Sequence, residues 1–208
     1  LVINYARCPD AGEGEEQTLM ALVTTEKMLK DAQTGHYAVG AFNVENLEFV
    51  MAVLAAAEET KSPVIMQTTP GTIKTAGLDY LYGMVKAAAE RASVPVALHL
   101  DHGDGYDRCM QAFRTGYTSV MIDGSHESFE DNIALTKSVA DAGRAMGVPV
   151  EAELGKVGGK EDDGPAVEGE SPYTDPAEAK EFVERTGCTS LAIGVGTSHG
   201  VYTSDPHI

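Results

Sequence analysis

The chain is poor in several things, and each shortage excludes a class of protein. Cysteine is scarce: Cys8, Cys109 and Cys188 are three in 208 residues, an odd number without close spacing. They suggest neither a disulfide framework nor a thiolate zinc cluster, and they fit a reducing, cytoplasmic setting. Positive charge is scarce as well, with 15 Lys and Arg against 32 Asp and Glu and a formal net charge of −17. So acidic a chain is not expected to take nucleic acid or a membrane as partner, although a local pocket can still accept a phosphorylated small molecule. Long apolar runs are missing too. No stretch approaches the ~18 residues of a membrane helix, and the first twenty residues lack a signal peptide's basic start and apolar core. Finally, no phosphate-binding glycine fingerprint opens any predicted helix, which weakens a dinucleotide-binding reading and leaves no cofactor-binding residues to nominate.

What is present suits one sizeable globular domain: 43% of residues are hydrophobic and 23% charged. Residues 1–19 are polar and patternless, and are expected to be an extraneous or disordered segment ahead of a start at Met20. From there strand and helix signals alternate. Thr24 or Thr25 can cap a helix to about Gln33, and Tyr37–Phe42 reads as a strand followed by a helix from Leu47 to Thr60. Pro63–Gln67 is a second strand, ending in the turn Thr68-Thr-Pro-Gly71, with a helix from Leu78 to Ala92. Pro95–Leu100, Ser119–Asp123, Val150–Leu154 and Ser190–Val195 are strands three to six, separated by helices over 106–115, 129–146 and 174–186. Strict alternation means parallel strands joined by helical crossovers.

Polar residues fall at the end of nearly every strand: Asn43, Thr69, Asp101 with His102, Asp123, Glu153 and His199. A doubly wound sheet gathers its site at one switch point, whereas a (β/α)8 barrel collects every strand end on one rim, so the spread favours the barrel. In the stretch His99-Leu-Asp-His-Gly103, alternation turns His99 and Asp101 one way and His102 the other, unless the chain already bends there. His102, His199 and Glu153 can begin a metal site of imidazole and carboxylate, suited to Zn2+ or a similar ion, with Asp123 and His126 close by. Each alone reads equally well as a satisfied polar residue. The segment Gly155–Tyr173 is glycine-rich, acidic and too long for an ordinary connection, which suggests a functional loop.

Several of these stretches together resemble the class II fructose-bisphosphate aldolases and the related tagatose-bisphosphate aldolases: Tyr37–Asn43, His99–Gly103, Ser119–His126, Glu151–Gly155 with Gly158-Gly159, and Gly196–Gly200. The likeness runs from about Met20 to Pro206. It implies a (β/α)8 TIM barrel, of which 20–208 supply about six strand–helix units, a catalytic zinc with room for a second cation, a phosphorylated sugar substrate, and assembly as a dimer or larger homo-oligomer. By resemblance, His102 and His199 are zinc ligands, and Asp123 and Glu153 line a second or resting metal position. Asp101 matches the aspartate that exchanges a proton with the C4 hydroxyl, and Glu161 the glutamate that moves a proton on dihydroxyacetone phosphate. Asn43, Thr69 and Gly200 match substrate-side positions, and Lys160 is given no role.

The resemblance also implies a third zinc histidine on a seventh strand and phosphate-binding residues after strands seven and eight. The chain stops at Ile208, before both, and reads as C-terminally truncated. His207 is not counted as the missing ligand. The expected activity is reversible cleavage of fructose 1,6-bisphosphate in glycolysis and gluconeogenesis. The alternatives are a tagatose 1,6-bisphosphate aldolase and a noncatalytic remnant that binds a partner chain. A metal-dependent hydrolase is disfavoured by the lack of a His-x-His pair.

Overall fold

A computed structural model describes residues 22–155 and 173–197. Six strands form one parallel sheet in sequence order: β1 (Gly40–Asn43), β2 (Val64–Thr68), β3 (Val96–Gly103), β4 (Ser119–Ile122), β5 (Val150–Leu154) and β6 (Ser190–Ile193). Between them run α1 (Thr25–Gly35), ahead of β1, then α2 (Leu47–Thr60), α3 (Pro70–Ala76), α4 (Leu78–Ala89), α5 (Tyr106–Thr115), α6 (Phe129–Met146) and α7 (Pro176–Thr186). Neighbouring strands are consecutive in the chain, so each crossover moves one place along the sheet. That is the progression of a (β/α)8 barrel carried through six of its units, as the alternation of elements predicted.

The outer face of the sheet is apolar because it must bury itself under the helices. Val64 and Met66, Val96, Leu98 and Leu100, Val120 and Ile122, and Val150 join the largest core cluster with Val50, Leu81, Val85 and Phe113 from the helices. Alternation turns the intervening residues inward. At the bottom of the sheet these are Ile65 and Ala97, which pack with Met28 of α1. Higher up they become polar: Gln67, His99, Asp101, Ser119, Glu151 and Glu153. Val23 N–H donates to Val96 O at 2.9 Å, and fixes α1 against this lower end. The sheet is thus sealed below by a helix and polar above.

Several elements differ locally from the expected ones. Of the first predicted strand only Gly40–Phe42 pairs, together with Asn43 beyond its predicted end, in register with Val64–Gln67, so Tyr37–Val39 lie outside it. Thr69-Pro70-Gly71, read as a turn, starts a helix instead: Thr69 Oγ1 accepts from Thr72 N–H at 3.3 Å and Pro70 takes the first helical position, where its missing N–H costs nothing. Asp175 caps α7 as expected, accepting from Ala177 N–H at 2.7 Å ahead of Pro176. Thr24, by contrast, sits at the cap of α1 without a side-chain bond, and the Thr25 hydroxyl points elsewhere.

Apolar side chains are exposed at both ends of the sheet: Phe42, Leu47, Phe49 and Met51 beside β1, and Ile193 and Val195 beside β6. Among the described residues β1 and β6 each pair on one side only.

Candidate metal centre

β3 brings the chemistry to the rim. Asp101 is 8% exposed and accepts a hydrogen bond from Gln67 Nε2 at 2.6 Å. The same Gln67 amide nitrogen donates to Asn43 Oδ1 at 2.7 Å, so one NH2 group ties the ends of β1, β2 and β3 together. Gln67 was not singled out in the sequence. Its signal was there, as the one polar residue in Val64-Ile-Met-Gln67 and on the inward side together with Ile65.

His102 does not point away from Asp101. It adopts a left-handed backbone with φ of 46°, and the β3–β4 register shifts between Leu100 and Gly103. The bend that the sequence left open is made there, and it swings the imidazole back over the carboxylates. A non-glycine residue held with positive φ is strained, and such strain gathers at functional sites. The His102 Nδ1 lies 2.8 Å from Asp123 Oδ2 and 3.7 Å from Glu153 Oε2, while Nε2 is 3.9 Å from Asp101 Oδ1.

Each acid is fixed by its own neighbours. Asp123 follows β4, its backbone N–H donates to Gly103 O at 3.1 Å, and its Oδ1 accepts from Ser125 N–H at 2.9 Å. Burial works to raise the Asp123 pKa, but hydrogen bonds from His102 and Ser125 outweigh it and bring it down to about 2. Glu153 is buried on β5, where its carbonyl accepts from Asn132 Nδ2 of α6 at 2.9 Å. Gly124 is required for that approach, because a Cβ there would collide with Asn132 Oδ1. Two residues lower on β5, burial and then the charge of Asp101 push the Glu151 pKa upward, and Ser190 Oγ donates to its Oε2 at 3.3 Å.

His102, Asp123 and Glu153 each offer one ligand atom, and these atoms lie within 4.8 Å of one another. Several carboxylates around a single imidazole leave negative charge that a cation would offset, and the mixed nitrogen and oxygen donors suit a divalent ion of the zinc type. The donor set therefore fits a metal. His126 is exposed and stands outside this group. Thr69 belongs to a hydrogen-bonded set with Thr72, whose hydroxyl donates to Glu45 Oε2 at 2.7 Å. Glu161, His199, Gly200 and Lys160 lie outside the described residues, as do 1–19.

Fold and site together define a partial (β/α)8 barrel with an acidic, metal-compatible centre at the C-terminal ends of its strands. The family model for class II fructose-bisphosphate aldolases matches residues 23–208, and the chain belongs to that family. It is 51% identical over 181 residues to a fructose-bisphosphate aldolase of Thermus caldophilus, covering 87% of this chain and 59% of the relative. It is 48% identical over 193 residues to one of Geobacillus stearothermophilus, covering 91% and 66%. The chain thus spans about three fifths to two thirds of the curated relatives it matches. Among solved structures, the YdjI aldolase of Escherichia coli K12 superimposes with a TM-score of 0.76 at 42% identity, covering 86% of this chain and 64% of that one. A fructose-bisphosphate aldolase of Campylobacter jejuni superimposes with a TM-score of 0.73 at 27% identity, covering 92% and 63%.

Proposed function

We propose that the chain belongs to a lyase that reversibly cleaves fructose 1,6-bisphosphate into dihydroxyacetone phosphate and glyceraldehyde 3-phosphate, as a zinc-dependent step of glycolysis and gluconeogenesis. The observation that carries this reading is the convergence of Asp101, His102, Asp123 and Glu153 at one rim, in a chain about half identical to proteins named for that activity.

His102, Asp123 and Glu153 would hold the ion, joined by His199. A zinc ion bound there supplies Lewis-acid polarisation of the ketose carbonyl. Asp101 takes the proton of the C4 hydroxyl as the C3–C4 bond breaks, so the aldehyde leaves and the bonding pair stays on the ketose fragment. Gln67 holds Asp101 for this by donating to Oδ2. Glu161 then delivers a proton to the carbanionic carbon, which completes the balance, and in condensation both transfers run backwards. Asn43 and Thr69, with Gly200, line the substrate side. The same reading carries a homo-oligomer of two or more copies in the cytoplasm, with 20–208 as the barrel domain.

The test is Asp101→Asn, which keeps shape and removes the base. Turnover should fall by roughly 10²–10⁴, the usual worth of a positioned acid–base group, while zinc content stays near that of the parent. Turnover that survives the substitution would refute the role of Asp101. Parallel assays with tagatose 1,6-bisphosphate discriminate the substrate.

A further inference from the structure

Below the metal-compatible centre lies a second histidine with different surroundings. His99 is on the same inward face of β3 as Asp101, two residues earlier, and is 4% exposed. Burial holds its pKa down to about 3, so the ring is neutral. A neutral imidazole carries one N–H and one acceptor nitrogen, and the partner of one nitrogen decides the other.

His99 Nδ1 lies 2.9 Å from Ser119 Oγ, and Thr25 Oγ1 donates to that same Ser119 oxygen at 3.0 Å. Thr25 is the first residue of α1, so no preceding helical turn offers a carbonyl for its hydroxyl. With the Thr25 hydrogen already on its oxygen, Ser119 directs its own hydrogen at Nδ1. That nitrogen is then the acceptor, and the ring proton sits on Nε2. Among the described residues Nε2 has no hydrogen-bond partner, yet no fully enclosed side-chain nitrogen or oxygen is left unbonded. Nε2 therefore opens onto the barrel interior, the space that Asp101 and Glu151 also enter. Side chains two residues apart on one strand face start roughly 7 Å apart at the backbone, and one water joins their polar ends when these lean to within about 6 Å, two hydrogen-bond lengths.

We propose that Thr25 and Ser119 lock His99 as its Nε2–H tautomer, making it a fixed neutral donor beneath Asp101 and a positioning residue for that carboxylate through one interior water. The relay starts on the helix that seals the bottom of the sheet, so α1 acts on the site without touching it. The tautomer stands on geometry alone, and the positioning role rests on the aldolase reading above.

Two measurements on the full chain test it. In long-range 1H–15N spectra of the 15N-histidine-labelled protein, His99 should show a protonated Nε2 and an unprotonated Nδ1. Ser119→Ala and Thr25→Val should each disturb that pattern, and Thr25→Ser should restore it. A proton on Nδ1, or a pattern indifferent to both substitutions, overturns the lock. In the cleavage assay His99→Asn keeps an acceptor for Ser119 but is too short to place a donor at the Nε2 position, and should lower kcat by about 10–100-fold with KM little changed, as for outer partners of a reacting group. His99→Gln places an amide N–H near the Nε2 position and should recover most of that loss. Equal activity of the two variants overturns the positioning role. A parent chain inactive with zinc overturns the aldolase reading and the positioning role with it, while the spectra still decide the lock.

Discussion

His99 and His102 are three residues apart on one strand and are used in opposite ways. His99 is buried and bonded to Ser119, which in turn accepts from Thr25, and is held neutral. His102 sits with a left-handed backbone among Asp101, Asp123 and Glu153, its Nδ1 within 2.8 Å of a carboxylate oxygen. Residue type is the same and the chemistry is not. What differs is depth along the barrel: lower down the interior must be neutral, because an unpaired charge there is costly to bury, whereas the rim can gather charge around a cation.

The contrast is broken most severely by removing the upper histidine. His102→Ala deletes the one nitrogen of the donor group found among the described residues, and zinc affinity should fall by more than the roughly 10–100-fold that an outer partner costs. Competition with a chromogenic chelator measures this, and unchanged affinity would remove His102 from the metal centre.

A smaller effect is expected at Gln67, which belongs to neither histidine but spans Asn43 and Asp101. Gln67→Leu keeps the volume and loses both hydrogen bonds. Cleavage should drop roughly tenfold, in line with the ~1–2 kcal/mol of such bonds, with zinc binding intact. A loss of zinc in step with activity would show that the amide supports the metal rather than the carboxylate.

The smallest effect is a slope in stability against pH, and its two parts have the same sign. The His99 pKa is depressed from 6.5 to about 3 in the fold, so the unfolded chain takes up a proton that the native one refuses, and stability falls as pH drops through that window. The Asp123 pKa is depressed from 3.8 to about 2, so its contribution is complete above 3.8 and is lost as pH falls toward 2. Denaturant titrations at several pH values should show His99→Gln flattening the upper window alone and Asp123→Asn the lower. If His99→Gln leaves the upper slope unchanged, His99 is not the group that refuses the proton.

Much of the architecture was legible in the chain because burial has a period. The apolar runs of β2 to β5 and the helical spacing of α2 and α6 follow from which face each element must hide, and that requirement is local. The boundary errors came where two local signals competed. Thr69-Pro70 reads as a turn or as a cap with a first-turn proline, and only the residues after it decide. The acids and histidines of the rim were visible as polar residues at strand ends, and His102, His199 and Glu153 were grouped from that alone, with Asp123 and His126 set beside them. Gln67 was passed over because one amide at a strand end carries no chemistry until its neighbours are known.

By itself the sequence determined the order of strands and helices, the apolar outer face of the sheet and the supply of carboxylates and imidazoles at the strand ends. All of these depend on spacing along one chain. Only the tertiary structure decided that His102 turns inward, that Gln67 joins Asn43 to Asp101, and that the hydroxyl of Thr25 goes to Ser119 rather than to the cap of its own helix. The reason is that these contacts link residues between 21 and 94 positions apart, or follow from a shift in register between two strands. Residue type states what a side chain can donate or accept, and the packing of the barrel chooses its partner.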